Sequence, residues 1–194
     1  DASAAWVGGA LNEPYRLTRG GLSAEALHAA CSIRLAIARE QRRQSTSTRL
    51  NATSAIWMVE MRCPLPAAPD WKVSLNLSHG RDRPESAERP GGRQQLQAGA
   101  VRLVGPLGPA TRLDFNLRYV NVRDSTGYSA LLDDNAVRGL ALQQRSVELA
   151  HQLDDYGWPG ATAVLQWQSA KQVSNLKLFA YRADSYYGGL RWSW

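Results

Sequence analysis

The chain has 194 residues, of which 44% are hydrophobic and 21% charged, and carries a formal net charge of +6. That length suits one domain, and the composition is that of an ordered one rather than a disordered tract. Arg, Gln or Asp interrupts every hydrophobic stretch before it reaches 18 residues, which excludes a membrane-spanning helix and leaves a membrane barrel open, since barrel strands need only alternate.

Along the chain the dominant period is two. Residues 1–26 include AAWVGGALNEPYRLTRGG and read as a lead-in, a lumen plug or a remnant strand of a larger barrel; LSAEALHAA (22–30) is compatible with a short helix. Strands follow over 27–39, with Leu27, Cys31, Ile33, Leu35 and Ile37 on one face, and over 50–63, with Trp57, Val59, Met61 and Cys63. WKVSLNLS sets Trp71, Val73, Leu75 and Leu77 against Lys72, Ser74, Asn76 and Ser78, for a strand over 71–79. A strand over 94–104 switches parity partway, as does one over 137–153, which suggests bulges or a change of surroundings. Between them LDFNLRY (within 111–123) alternates cleanly, and strands over 161–170 and 175–194 complete the set. The polar parity of these strands collects Arg34, Glu60, Arg62, Lys72, Asn76, Asn116, Arg118, Glu148, Gln166, Gln168, Lys177 and Arg191.

The connections are of two kinds that alternate. Pro- and Gly-rich turns lie at 64–70, 105–110 and 154–160; longer polar segments lie at 40–48, 79–93, 124–136 and near 171–175. In an up-and-down meander alternate connections share an end, so one end carries tight turns and the other long loops. That asymmetry belongs to outer-membrane barrels. The expected fold is therefore all-β: an antiparallel up-and-down transmembrane β-barrel of about eight strands over 27–194, both its ends on the short-turn side, with a short N-terminal extension over 1–26. An eight-stranded barrel has an interior filled by side chains.

The chain closes on YYGGLRWSW, in which Tyr186, Leu190, Trp192 and Trp194 alternate with Tyr187, Gly189, Arg191 and Ser193. These residues resemble the C-terminal signature of bacterial outer-membrane β-barrel proteins, a terminal aromatic preceded by alternating apolar positions. The resemblance implies that Tyr186, Leu190, Trp192 and Trp194 act as an assembly signal read by the outer-membrane assembly machinery, and that the cell outer membrane is the location. Trp71, Trp158, Trp192 and Trp194 fall at the short-turn end, where interfacial aromatics of a membrane protein are expected; Tyr119 and Trp167 are candidates for the opposite girdle.

The basic excess comes from arginines scattered singly, with Lys72, Lys171 and Lys177 the only lysines, so nucleic acid is not an expected partner. Arg81, Arg83, Arg89 and Arg93 in the second long loop form a candidate contact for lipopolysaccharide phosphates, weighed against a simply solvated loop. Cys31 and Cys63 lack metal-ligand spacing; pairing about a turn near residue 47 sets them opposite each other for a disulfide, with two free thiols as the alternative. Asp1 in first place suits either a mature exported chain or a fragment.

No hydrolase, P-loop or dinucleotide motif is present; a catalytic grouping would draw on Ser78 or Ser86, His79 and Asp82 or Asp124, but Ser78 and His79 alternate to opposite faces. The expectation is a non-enzymatic structural anchor or envelope-assembly subunit, with outer-membrane lipids, lipopolysaccharide and an envelope protein as partners and with no cofactor or metal. Three alternatives stay open: a secreted soluble β-sandwich binding carbohydrate or protein through Tyr128, Tyr156, Tyr186 and Tyr187; a barrel enzyme acting on lipid A or phospholipid; and the C-terminal part of a larger polymer-exporting barrel.

Overall fold

A computed structural model describes residues 2–3, 6–7, 10–11, 15–28, 30–44 and 48–192. Nine long strands follow one another: β1 (Tyr15–His28), β2 (Cys31–Gln44), β3 (Ala52–Leu65), β4 (Ala68–Pro84), β5 (Gln94–Gly108), β6 (Thr111–Gly127), β7 (Val137–Gln152), β8 (Ala161–Ser174) and β9 (Tyr181–Trp192). Each pairs antiparallel with its sequence neighbours in one up-and-down sheet. Among the described residues no ladder joins β9 back to β1; the outer edge of β1 meets only the two-residue segment Ala2–Ser3, and Trp6–Val7 pairs separately with Ala10–Leu11.

The eight strands expected from the alternation are all present, except that the first begins at Cys31 rather than at 27, and Leu27 belongs to β1, the ninth strand, on the face of Ser32 and not of Cys31. β1 runs through residue 26, where the lead-in was expected to end, and as far as His28, so the part of LSAEALHAA from Leu22 to His28 is extended rather than helical. Its alternation is hidden by Gly20, Gly21 and the small residues Ser23, Ala24 and Ala26, so that helix propensity outweighs a weak period of two in the sequence. With this strand the sheet begins at the long-loop end, not at the short-turn end. At the other edge, residues 175–180 are a connection containing the 3-10 turn Lys177–Phe179, so Lys177 leaves the polar strand face expected for it; Asp184 sits inside β9 and marks no turn.

The parity switches have a specific cause. In β5 the ladder to β6 is regular from Gln94 to Pro106, so no bulge flips the side chains of its first half. Instead Leu96, Val122 and Leu140 occupy one row, and Ala98, Val120 and Leu142 the next, on the face that elsewhere is polar. That face turns apolar toward the long-loop end while the opposite face turns polar. In β7 a register shift between Val137 and Gly139 adds to the effect.

Burial is unusual for so much sheet. The buried apolar side chains among the described residues are Ala52, Val120, Ala161, Val164 and Leu176, whereas Leu35, Trp57, Leu77, Val101, Tyr119, Leu165 and Leu190 are exposed.

Candidate functional site

Residues i and i+2 of a strand share a face, so the register fixes what each side of the sheet presents. On one face Ile33, Leu35 and Ile37 of β2 lie beside Trp57, Val59 and Met61 of β3, then Leu75 and Leu77 of β4 and Gly99 and Val101 of β5. The series continues through Phe115 and Leu117 of β6, Val147 and Leu149 of β7 and Leu165 and Trp167 of β8, ending on Tyr186, Gly188 and Leu190 of β9. This is an unbroken apolar band across the sheet, and it is open to the surroundings: Leu165 is 63% and Tyr186 81% exposed. Toward the long-loop end it is bounded by Arg39, Arg81, Gln97, Asn121, Arg145 and Lys171 on the same face.

The band does not follow the hydrogen-bond rows. The row that passes Leu35, near the band's middle on β2, runs through Val59, Leu77, Gly99, Tyr119, Gln143 and Lys171 to Arg182. On β9 the band is centred near Gly188, six residues farther along. Seven strand spacings of about 4.8 Å span about 34 Å, and six residues advance about 20 Å, so the strands incline to the band's normal by roughly 30°. This is close to the tilt of about 35–45° that closed barrels require.

Aromatic residues gather at the short-turn margin. Trp158 and Trp192 stack with ring centroids 5.8 Å apart, and the Trp71 ring lies over Gly105, where a Cβ would overlap it. Trp194 lies outside the described residues. Trp57, which stands beside His79 at the opposite margin, is a rim aromatic that the sequence pattern alone merges with the rest of its apolar stripe. The disulfide Cys31–Cys63 is formed on the band face near the short-turn end, with Cα atoms 4.3 Å apart, as the symmetry about residue 47 suggests.

The other face is concave. A hollow of about 900 Å³ is lined by residues from six successive strands, among them Glu60, Arg62, Lys72, Asn76, Arg102 and Arg118. A second, of about 550 Å³, shares Lys72 and Arg102 with it and reaches the short turns, and a third, of about 470 Å³, shares Asn116 and Arg118. Arg62 pairs with Glu60 at 2.6 Å, Arg102 with Asp114, and Arg191 with Glu148 at 3.7 Å. Arg34 donates to Ser23 at 3.1 Å.

Toward the long-loop end this face is sealed by a buried polar network. Arg89 donates to Asp82 at 2.7 Å and to Gln94 at 3.0 Å; Gln94 donates to Asp124 at 3.0 Å; Arg138 donates to Asp124 at 2.9 and 3.2 Å. The Arg138 guanidinium packs against both Tyr128 and Phe179, 4.3 and 4.8 Å from their centroids, and the two rings meet each other edge to face at 4.9 Å. Gly91 and Gly92, both at positive φ, bring the loop backbone against β6, where Gly91 N–H donates to Gly127 O and Ser125 N–H to Gly91 O. Four long connections are thereby tied together, because Glu85 N–H also donates to Asn51 O and Arg49 pairs with Glu88 at 3.0 Å. The sequence signal for this network is the RPGGR turn beside aspartates on the polar parity, and the alternation alone passes over it.

Of the four arginines expected to meet phosphate, Arg89 is therefore withdrawn from the surface and ion-paired, while Arg81, Arg83 and Arg93 are exposed. Ser78 and His79 point to opposite faces, Ser78 beside Ala98 and His79 beside Gln97, and Asp82 and Asp124 are held by arginines, so Ser78, His79 and either aspartate do not assemble. No protein-family model, curated protein or solved structure matches the chain.

Proposed function

We propose that this chain is an outer-membrane β-barrel protein, or the barrel part of one, that serves as a structural anchor or envelope-assembly subunit. The observation that carries the reading is the inclined, exposed apolar band backed by a charged concave face. In water such a band is a large unsatisfied surface, whereas in lipid it is the required outer coat. Aromatics at its margins suit the interface between hydrocarbon and water. The strands, 12 to 17 residues long, exceed the 9–11 or so that span a bilayer, and their surplus at the long-loop end is polar on the band face. Arg81, Arg83 and Arg93, at that end, suit contact with lipopolysaccharide phosphates, and Tyr186, Leu190 and Trp192 present the alternating aromatic and apolar edge expected of an assembly signal.

The open seam favours a second reading within the same class: the nine strands are a sector of a larger barrel, with further strands on one or both edges. The test is electrophoresis of boiled and unboiled protein in detergent, beside a truncation lacking Trp192 to Trp194. The expected result is a compact, faster unboiled band that the truncation abolishes. Solubility without detergent, together with identical migration in both lanes, would sink the membrane reading.

A further inference from the structure

We propose that the concave face binds an acidic oligosaccharide, entering from the short-turn end, with acidic groups held at Lys72 and Arg118. The inference deepens the barrel reading and rests on it for the side from which the ligand arrives.

Charge carries the first step. Of the four cations that line the hollow, Arg62 and Arg102 have carboxylate partners, but among the described residues Lys72 has no hydrogen-bond or ion-pair partner, and Arg118 has only a 3.5 Å contact with Gln144. Both line the 900 Å³ hollow, and each also borders one of the neighbouring hollows. Both side chains are exposed to the trough, and two cations without counter-charges on one lined concavity make a local positive field that attracts an anion.

Spacing selects the kind of anion. Lys72 shares a row with Val104 and Asp114, Arg118 with Ala100 and Asn76, so the two cations are two strands and four residues apart. That separation is about 17 Å between Cα atoms. One phosphate or carboxylate would meet both only with the two side chains fully extended toward each other, whereas a chain bearing acidic groups at intervals meets each in place. Between them Ser74, Asn76 and Asn116 offer hydroxyl and amide groups suited to sugar hydroxyls, and Tyr181, on the wall of the third hollow, offers a ring. The sealed network at Asp82, Arg89, Asp124 and Arg138 stands at the other end of the trough, which leaves the short-turn side as the entrance.

The experiment is titration calorimetry on the full chain in detergent, with oligogalacturonate as the acidic probe and maltoheptaose as the neutral one. Lys72→Gln with Arg118→Gln is expected to weaken oligogalacturonate binding at least tenfold, the charge-keeping pair Lys72→Arg and Arg118→Lys less than threefold, and Arg123→Gln, exposed on the opposite face, not at all. Raising salt from 50 to 200 mM should weaken wild-type binding several-fold. Absence of oligogalacturonate binding by heat-modifiable wild type would overturn the proposal. So would equal binding of maltoheptaose, or full competition by inorganic phosphate at the same concentration of charge. If heat modifiability itself is missing, the barrel reading fails, and the same titration without detergent then decides the trough alone.

Discussion

The buried network gives the sharpest energetic prediction, at Asp124. Its residue is 4% exposed and its side chain fully covered, and the carboxylate accepts two hydrogen bonds from Arg138 and one from Gln94. Asp124→Ala removes the counter-charge of a guanidinium whose side chain is only 11% exposed and leaves the Gln94 amide without its acceptor. Breaking a buried pair from one side costs about 3–5 kcal/mol. The rings of Tyr128 and Phe179 continue to hold the Arg138 cation, which returns about 1 kcal/mol. A net loss of about 3 kcal/mol is expected, and at a urea slope of about 2 kcal/mol/M this lowers the unfolding midpoint by about 1.5 M. The comparison is Glu88→Ala, which breaks the Arg49–Glu88 pair whose side chains are 67% and 68% exposed, at an expected cost below about 1 kcal/mol. Replacing both partners, Asp124→Leu with Arg138→Leu, should recover most of the loss because no lone charge remains. Urea titration followed by tryptophan fluorescence reads all four proteins. A loss for Asp124→Ala no larger than that for Glu88→Ala would refute the reasoning, since it would mean that water reaches Arg138 freely.

Three further outcomes follow from the same geometry. Leu77→Arg, at the middle of the apolar band, should cost about 2–4 kcal/mol in a bilayer and almost nothing if the band faces water, as urea unfolding from vesicles would tell. Gly91→Ala, at φ 78° with a Cβ directed into the Asp124 carboxylate, should destabilise by at least about 1–3 kcal/mol, whereas Gly108→Ala, with open space around it, should be near neutral; the melting temperatures of the two variants provide the check. Paired Cys31→Ser and Cys63→Ser open a cross-link of 32 residues separation, worth about 3–4 kcal/mol by loop entropy, and the loss should be matched by adding reductant to the wild type in the same urea titration.

How much of this was legible in the residues depends on whether a face keeps one environment along the whole strand. WKVSLNLS and LDFNLRY lie where the band face is apolar and the concave face polar throughout, so a period of two is visible and their strands are found close to their true places. Gln94 to Val104 crosses the level at which the concave face turns apolar, so Leu96 and Leu103 appear on opposite parities although the strand is regular. β1 was missed because glycine, serine and alanine dilute its pattern. The disulfide was legible from symmetry about one turn. The Asp82, Arg89, Gln94, Asp124 and Arg138 network was not, because its two local groups, around Arg89 and around Arg138, are 30 residues apart where they meet, and only the ladder brings Gln94 beside Asp124.

The seam follows from direction as much as from count. β1 and β9 both run from the long-loop end to the short-turn end, so the two edges would meet as a parallel pair, whereas β2 would meet β9 antiparallel but has its free side taken by β1. Burying the band in lipid leaves no water for the N–H and C=O groups along the edge of β9 that have no ladder partner among the described residues, and each would cost several kcal/mol. A long edge of that kind cannot persist in hydrocarbon, so the band and the edge impose one requirement together. Either β1 yields its place on β2 to β9 or closes on β9 in parallel, or other strands complete the ring; any arrangement that leaves the edge bare contradicts the band.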